Sequence, residues 1–370
     1  MKNTVNNETI IHLLRNEGMM TRQEIAKKLG VSMPTALNNT NELLQLGVLI
    51  EDGEMSSTGG RKAKCLRFNK DLKKILGIDI GVNHVKFLIT DFCGDFVCEK
   101  KVKLKFQDTI AWYESLTDKL NEFFMECSID SKDILCAGLS FPGIIDEEKE
   151  VIVKSHILGA EHVGLDRFKK AIDFPLTVNN DANCAAFAEI SQEKTNYLYL
   201  SLNDSVGGGL VLNASMHIGD SLQAGEIGHM ILVPGGKQCY CGKKGCADPY
   251  LSPTVLLKEE ETLSDFFGRV SAGDEVALKK WDQYLEYLAI FITNLRMVLD
   301  IDIVIGGEVG KFIDPYMDVL KSEMQKYDLF ARTIDYVYPC SEKHSVCAMG
   351  AARLALSQFE LLVLNGKSEE

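Results

Sequence analysis

Apolar side chains recur at helical spacing in the first fifty residues. Between residues 8 and 15, Ile10, Ile11, Leu13 and Leu14 follow a helical pattern. Thr21, followed three residues later by Glu24, has the form of a capping box and predicts a helix that runs to Leu29 and ends at Gly30. Ser32 then caps a third helix with Pro34 in its first turn, where a missing N–H costs little. Ala36, Leu37, Leu43 and Leu44 carry that helix to Gly47. Two short helices joined through a glycine turn make a helix-turn-helix. Residues 48–53 and 64–68 read as two strands, and the glycine-rich stretch 57–62 between them reads as a wing.

From residue 75 onward the pattern changes to short buried strands alternating with helices, the mark of an α/β body. Strands are expected at 75–80, 85–90, 134–141, 174–180, 197–202, 208–212 and 303–307. A long amphipathic helix at 276–300 places Trp281, Leu285, Leu288, Ile292 and Leu295 on one face. Met349-Gly-Ala-Ala352 opens a packed C-terminal helix, and the polar tail 365–370 is expected to fray. The strand-turn-strand unit near 75–90 is weakly duplicated near 197–212. In the first copy the loop Gly81-Val82-Asn83-His84 holds one glycine, and bulky Val82 denies a phosphate the close backbone approach it needs. A plain hairpin is favoured there. Asp181, at the end of a strand and just before a helix, sits where ligands commonly bind in α/β sheets. It is a candidate general base or hydroxyl acceptor, and equally a candidate N-cap.

Composition narrows the setting. Of 370 residues 46% are hydrophobic and 25% charged, values of ordinary globular chains. No apolar run approaches the roughly 18 residues a membrane span needs, and the N-terminus lacks the apolar stretch of a secretory signal. A cytoplasmic protein with no membrane partner is expected. Eleven cysteines, mostly single in apolar contexts, suit reduced thiols better than a disulfide framework. The net charge of −13 is uneven: residues 1–70 carry ten Lys/Arg against seven Asp/Glu, leaving thirty against forty-six for the rest. A small module for an anionic partner on an acidic body fits this asymmetry. Within it Thr35, Asn38, Asn39 and Asn41 are candidate readers of base edges or phosphates, and Arg61 and Lys62 candidate contacts to a backbone or minor groove.

The densest chemistry lies at 226–248. His229, Cys239, Cys241 and Cys246 are separated by nine, one and four residues, with Gly235, Gly236, Gly242 and Gly245 offering tight turns. Four N/S ligands on a chain that can curl favour a structural Zn²⁺, one per chain. A disulfide would leave one cysteine over; three ordinary thiols are the remaining alternative. Glu226 lies three residues before His229, on the same face of a helical turn. A carboxylate beside an oriented imidazole grips vicinal hydroxyls, although a solvated Glu226 beside a purely structural metal has the same spacing.

These motifs together resemble the ROK family (repressors, open reading frames and sugar kinases). Glu226-Ile-Gly-His229, Cys239-Tyr-Cys241, Gly245-Cys246, Asn180-Asp181-Ala-Asn183, Phe141-Pro-Gly143, Ile305-Gly-Gly307 and Gly350-Ala-Ala352 carry the resemblance. The N-terminal module ending Gly59-Gly60-Arg61 looks like the winged-helix repressor branch, of the xylose and N-acetylglucosamine repressor type. The resemblance implies a winged helix-turn-helix at 1–70 and a two-lobed actin-like/hexokinase-like (ribonuclease H-like) body. Its first lobe would span 71–188 with the C-terminal helix 347–364; its second, 189–346, would carry the zinc loop and an oligomerisation surface. It also implies zinc on His229, Cys239, Cys241 and Cys246, and sugar contacts at Asn180, Asp181, Glu226 and His229. Where the family has a sugar-binding Glu, this chain has the shorter Asp248. Kinases of the family show Asp-x-Gly-Gly-Thr-Lys where this chain has 79–84, and Gly-Thr-Gly where it has Asn203-Asp204-Ser205. ATP is therefore not expected as a cofactor, and Asp181 is a vestigial base. The expectation is a non-enzymatic repressor of carbohydrate-metabolism genes, a homodimer or homotetramer, with operator DNA and a sugar or sugar phosphate as partners. An ATP-dependent sugar kinase using Asp181 as base is the alternative, and a sugar-binding module acting through protein partners alone is a third.

Overall fold

The computed structural model describes residues 7–55, 63–191, 194–342 and 344–364. The N-terminal part runs α1 (Asn7–Glu17), β1 (Met20–Thr21), α2 (Arg22–Leu29), α3 (Met33–Gln45), β2 (Leu49–Met55) and β3 (Ala63–Phe68). Local chemistry sets these boundaries as expected. Thr21 and Glu24 form the reciprocal capping box, Gly30 closes α2 in the left-handed region, and Ser32 accepts from the Thr35 amide. The two-residue strand β1 pairs with β3, giving the sheet order β1-β3-β2. Such a strand leaves no periodic signal and was not expected from the sequence. The 57–62 wing tip, with Arg61 and Lys62, and the 365–370 tail lie outside the described residues.

The body continues with β4 (Lys74–Ile80), β5 (His84–Asp91), β6 (Phe96–Lys103), α4 (Ile110–Glu126), β7 (Ile134–Phe141), β8 (Ile144–Asp146), β9 (Val151–Ser155), β10 (Ala160–Gly164), α5 (Leu165–Ile172), β11 (Leu176–Asn180) and α6 (Asp181–Ala188). It then runs through β12 (Tyr197–Leu202), β13 (Val206–Leu212), β14 (Ser215–His217), α7 (Asp248–Leu251), α8 (Leu263–Ser271), α9 (Glu275–Leu299), β15 (Asp302–Gly306), α10 (Gly307–Gly310), α11 (Met317–Met324), β16 (Val337–Pro339) and α12 (Val346–Leu364). Two five-stranded sheets have one topology. The first is ordered β11-β7-β4-β5-β6 and the second, read from its far edge, β16-β15-β12-β13-β14. In each, an antiparallel hairpin (β4-β5, β12-β13) has a parallel neighbour on its first strand (β7, β15). The weak sequence duplication is therefore a duplicated sheet.

Helix α12 begins at Val346, three residues before the Met349 expected for its start, and lies directly on the first sheet. A Cβ at Gly77 of β4 would meet the Ala348 carbonyl oxygen at 2.0 Å, and one at Gly138 of β7 would meet the Ala351 oxygen at 1.9 Å. A Cβ at Gly350 would lie 1.6 Å from the Cys184 oxygen of α6. Backbone meets backbone there, and only glycine allows it.

The far end of α12 holds the winged helix. Ile10, Leu14, Leu43, Leu66 and Phe68 share one apolar cluster with Phe92, Ala352, Ala355 and Leu356. Across it, Arg15 of α1 donates to the Phe92 carbonyl at 2.8 Å and pairs with Glu360 at 2.8 Å. Its guanidinium carbon lies 4.2 Å from the centre of the Phe68 ring, which stacks on Phe92 at 5.4 Å. Replacing Arg15 by Met keeps the stem but leaves a half-buried carboxylate and a carbonyl without this donor. Arg15→Met should cost about 1–3 kcal/mol of stability, checked by urea denaturation. Arg15→Lys should recover only part of it, because one ammonium cannot hold both acceptors and lie flat on the ring.

Candidate functional site

Between the two sheets lies an open cleft of about 1440 Å³. Asn180 and Asp181 form its floor at the junction of β11 and α6, and Glu226, His229 and Tyr240 form the opposite wall. The Asn180 side chain caps α6, accepting from the Ala182 and Asn183 amides, and its NH₂ donates to the Gly143 carbonyl at 2.9 Å. It thus ties the Phe141-Pro-Gly143 turn to the helix. Because Asn180 is the cap, Asp181 is the first helical residue and its carboxylate is not consumed by capping. Burial, and then the nearby Asp79 carboxylate, push Asp181 up to about 6. Burial likewise raises Glu226, although His156 opposes the shift. Such a pair suits neutral hydroxyls better than a ligand that adds negative charge.

Glu226 precedes the short 3₁₀ turn Ile227–His229, so its carboxylate and the imidazole share one face as the spacing implied. Glu226 Oε2 lies 3.8 Å from His229 Nε2. The other ring nitrogen, Nδ1, turns inward, 3.6 Å from Cys239 Sγ. Cys241 and Cys246 bring their sulfurs within 3.7 Å of each other, and all four ligand atoms lie within 4.8 Å of one another. A tetrahedral zinc with usual bond lengths separates two sulfurs by about 3.8 Å, and a sulfur and a nitrogen by about 3.5 Å. The cluster therefore fits a metal ion of that size, and none of its thiols is in a disulfide. The loop closes as expected through Gly235, Gly242 and Gly245 at positive φ. Gly236 differs: its φ is not in the left-handed region, and it is required because a Cβ would strike the Tyr250 hydroxyl at 2.0 Å.

Of the five sugar positions in the sequence reading, Asn180, Asp181, Glu226 and His229 face one cleft. Asp248 is not among the cleft-lining residues; it is buried at the start of α7 and accepts from the Val206 amide at 2.8 Å. Its Oδ2 braces the second hairpin. Two lining residues were missed. Tyr240 packs edge-on to His229 at 5.2 Å and reaches His156 from the first sheet's side at 5.5 Å. Its place between two candidate ligands was a usable signal, whereas nothing in the sequence around His156 pointed to the cleft.

On α3, Thr35, Asn38 and Asn41 are exposed and Asn39 is half-buried. Arg22 of α2 donates to Asn41 at 3.3 Å and to Thr40 at 3.2 Å, so one of the four is already oriented. Met33 and Leu37, which belong to the apolar series of that helix, are exposed at 48% and 43%. Apolar tips among amides suit contact with thymine methyl groups as well as hydrogen bonding to base edges. Among the described residues no helix is long and apolar enough to cross a membrane.

Residues 75–358 match the sequence model of the ROK family. The xylose repressor of Bacillus subtilis (strain 168) is 25% identical over 368 residues, covering 96% of both chains. The glucokinase of Halalkalibacterium halodurans is 30% identical over 283 residues, covering 69% of this chain and 86% of the kinase. Among solved structures, a ROK family transcriptional regulator described as a homologue of the E. coli MLC protein superposes with a TM-score of 0.79 at 20% identity, over 97% of this chain and 98% of that one. At that identity the likeness shows the fold: a winged helix on a two-lobed kinase-like body.

The raised Asp181 has a consequence for stability. The folded chain holds that proton more tightly than the unfolded chain does, so stability falls as pH rises from about 4, the ordinary aspartate value, through about 6. Asp181→Asn removes this loss. The variant should melt above wild type at pH 7.5, with the gain vanishing near pH 4, as measured by thermal denaturation across that range.

Proposed function

The chain belongs to the ROK family, and from that premise we propose that it is a DNA-binding transcriptional repressor whose operator affinity is changed by a sugar held between the lobes. One observation carries this reading: the kinship with the repressor runs through 96% of the chain, whereas the kinase covers 69%. The family model begins at residue 75, so what the repressor adds is the winged helix. D-xylose is the first effector to test, since the repressor relative is named for it. Asp181 and Glu226 would accept from sugar hydroxyls, Asn180 would hold the floor, and His229 would present Nε2 to the cleft.

Zinc, one per chain, is the metal the His229, Cys239, Cys241 and Cys246 donor set suits best. Bound there it would supply rigidity to the wall that carries Glu226, His229 and Tyr240, and no reaction chemistry. Thr35, Asn38, Asn39 and Asn41 would meet base edges, with Met33 and Leu37 beside them; Arg61 and Lys62 would meet the backbone or minor groove. A single winged helix makes few contacts, and specific operators usually present two half-sites to a symmetric dimer. Leu329 and Phe330, 83% and 87% exposed beyond α11, support the second lobe as the surface where two copies meet. A protein that acts on chromosomal operators would work in the cytoplasm.

Operator titration with and without D-xylose tests the switch. A tenfold change in operator affinity, about 1.4 kcal/mol of coupling, is expected for wild type and must be matched by a tenfold effect of operator on sugar. Glu226→Ala should bind operator normally and ignore the sugar. Equal operator affinity in all four conditions would sink the proposal. Elemental analysis of untagged protein should find about one zinc per chain, and Cys241→Ser should weaken sugar binding before it affects DNA. Sugar-dependent ADP release at an ordinary enzyme rate, about 1–10³ s⁻¹, would favour the kinase instead.

A further inference from the structure

At the other end of the cleft a smaller cavity of about 110 Å³ lies among Asp79, His84, Lys86, Asp204 and Glu308. The resemblance to sugar kinases implies a metal-bound nucleotide on this side, and the residues present do not fit one. Asp79, at the end of β4, is only 6% exposed, and a buried carboxylate needs a counter-charge. Lys86, two residues into the return strand from His84, reaches back across the hairpin to place its Nζ 3.4 Å from Asp79 Oδ2. Ser140 of β7 donates to Oδ1 at 3.0 Å. Both carboxylate oxygens are therefore engaged by the chain itself.

Other polar groups of the cavity are also engaged by the chain. His84 stands where the kinase loop has its lysine, with its ring so close under Gly81 that a Cβ there would meet it at 2.5 Å. Burial, with Lys101 and Lys86 nearby, pushes that imidazole down to about 4, so it is neutral at pH 7. At the α10 end of the cavity the first two backbone amides are already taken. The Gly307 amide donates to the Tyr199 hydroxyl at 3.2 Å and the Glu308 amide to Asn203 at 2.8 Å. Lys311 is paired with Glu308 at 2.8 Å, and Asp204 adds an unmatched carboxylate to the rim. Burial pushes the Lys86 ammonium down, but Asp79 and other neighbouring groups more than reverse this and hold it above its ordinary value.

We infer that Lys86 is a tethered counter-ion that takes the place of a divalent cation at Asp79, so that this end of the cleft is braced by the chain's own ion pair and needs neither metal nor nucleotide. Charge alone makes the case. A divalent cation would meet an Asp79 already neutralised by an ammonium, and a nucleotide's phosphates would meet the carboxylates of Asp204 and Glu308 with the Gly307 and Glu308 amides already engaged.

Thermal melting of wild type, Lys86→Met and the double variant Asp79→Asn/Lys86→Met, with and without millimolar MgCl₂ or MnCl₂, tests this. Wild type should not respond to either metal, alone or with AMP-PNP. Lys86→Met leaves the buried carboxylate unpaired and should melt several degrees lower, with Mn²⁺ or Mg²⁺ restoring part of the loss. The double variant, with neither charge, should recover most of the loss and ignore metal. If Lys86→Met does not fold, wild type and the double variant still decide, by calorimetric titration with Mg²⁺–AMP-PNP. Overturning outcomes are nucleotide or metal binding by wild type, a Lys86→Met melting point equal to wild type, a Lys86→Met loss that metal does not relieve, or a double variant no more stable than the single one. None of these measurements involves operator or sugar, so a failure here and a failure of the repressor reading remain distinguishable.

Discussion

Where α12 crosses the first sheet, backbone lies against backbone, and the rest of the molecule is built around that contact. Gly77 and Gly138 leave no side chain to compress between the sheet and α12, and Gly350 does the same where α12 meets α6. A helix seated this way cannot slide or roll by an ångström without driving a carbonyl oxygen into a Cα, because packed interiors do not deform gradually. The stripe Ala348, Ala351, Ala352 and Ala355 extends the same close seat along the helix.

Two functional ends are attached to this immobile piece. The seat at Gly350 is on α6, whose first residue is Asp181, and the outer turn of α12 carries Glu360, which holds Arg15 of the winged helix. Asp181 and the winged helix are therefore both seated against the same helix, α12. The other wall of the cleft carries Glu226, His229 and Tyr240 on the loop that gathers His229, Cys239, Cys241 and Cys246. A ligand held by both walls binds the closed arrangement better than the open one, which is the differential affinity any shift of population requires.

Much of this was legible in the sequence because it is local. Capping residues fixed the ends of α2 and α3, short apolar runs gave β4, β5, β7, β11, β12, β13 and β15 though not the other body strands, and ligand spacing gave the His/Cys cluster with the Glu226–His229 face. What was not legible depends on through-space approach. Gly236 reads as a turn residue, yet the Tyr250 hydroxyl is what demands it. Asp248 reads as a ligand contact, and nothing in its spacing announces that its Oδ2 accepts from the Val206 amide, 42 residues away. The pairing of Lys86 with Asp79 needs the hairpin register, which turns residues seven apart into neighbours. His156 and Tyr240 come from opposite sides of the cleft, and no spacing along one chain predicts that they meet.

The two halves of the cleft differ in how they treat charge, and this bears on how such a body comes to work as a switch. At the metal-loop end, Asp181 and Glu226 are held with raised pKa values and few partners, so they keep capacity for an incoming hydroxyl. At the hairpin end, Asp79 is engaged by Lys86 and Ser140, and the Gly307 and Glu308 amides by Tyr199 and Asn203. Unsatisfied polar groups provide a driving force for closure only where a ligand can satisfy them. A body that kept both ends open would respond to nucleotide as well as to sugar, and its operator affinity would follow the energy state of the cell. With Asp79 satisfied internally, Asp181 and Glu226 at the metal-loop end keep the raised pKa values that suit an incoming neutral hydroxyl.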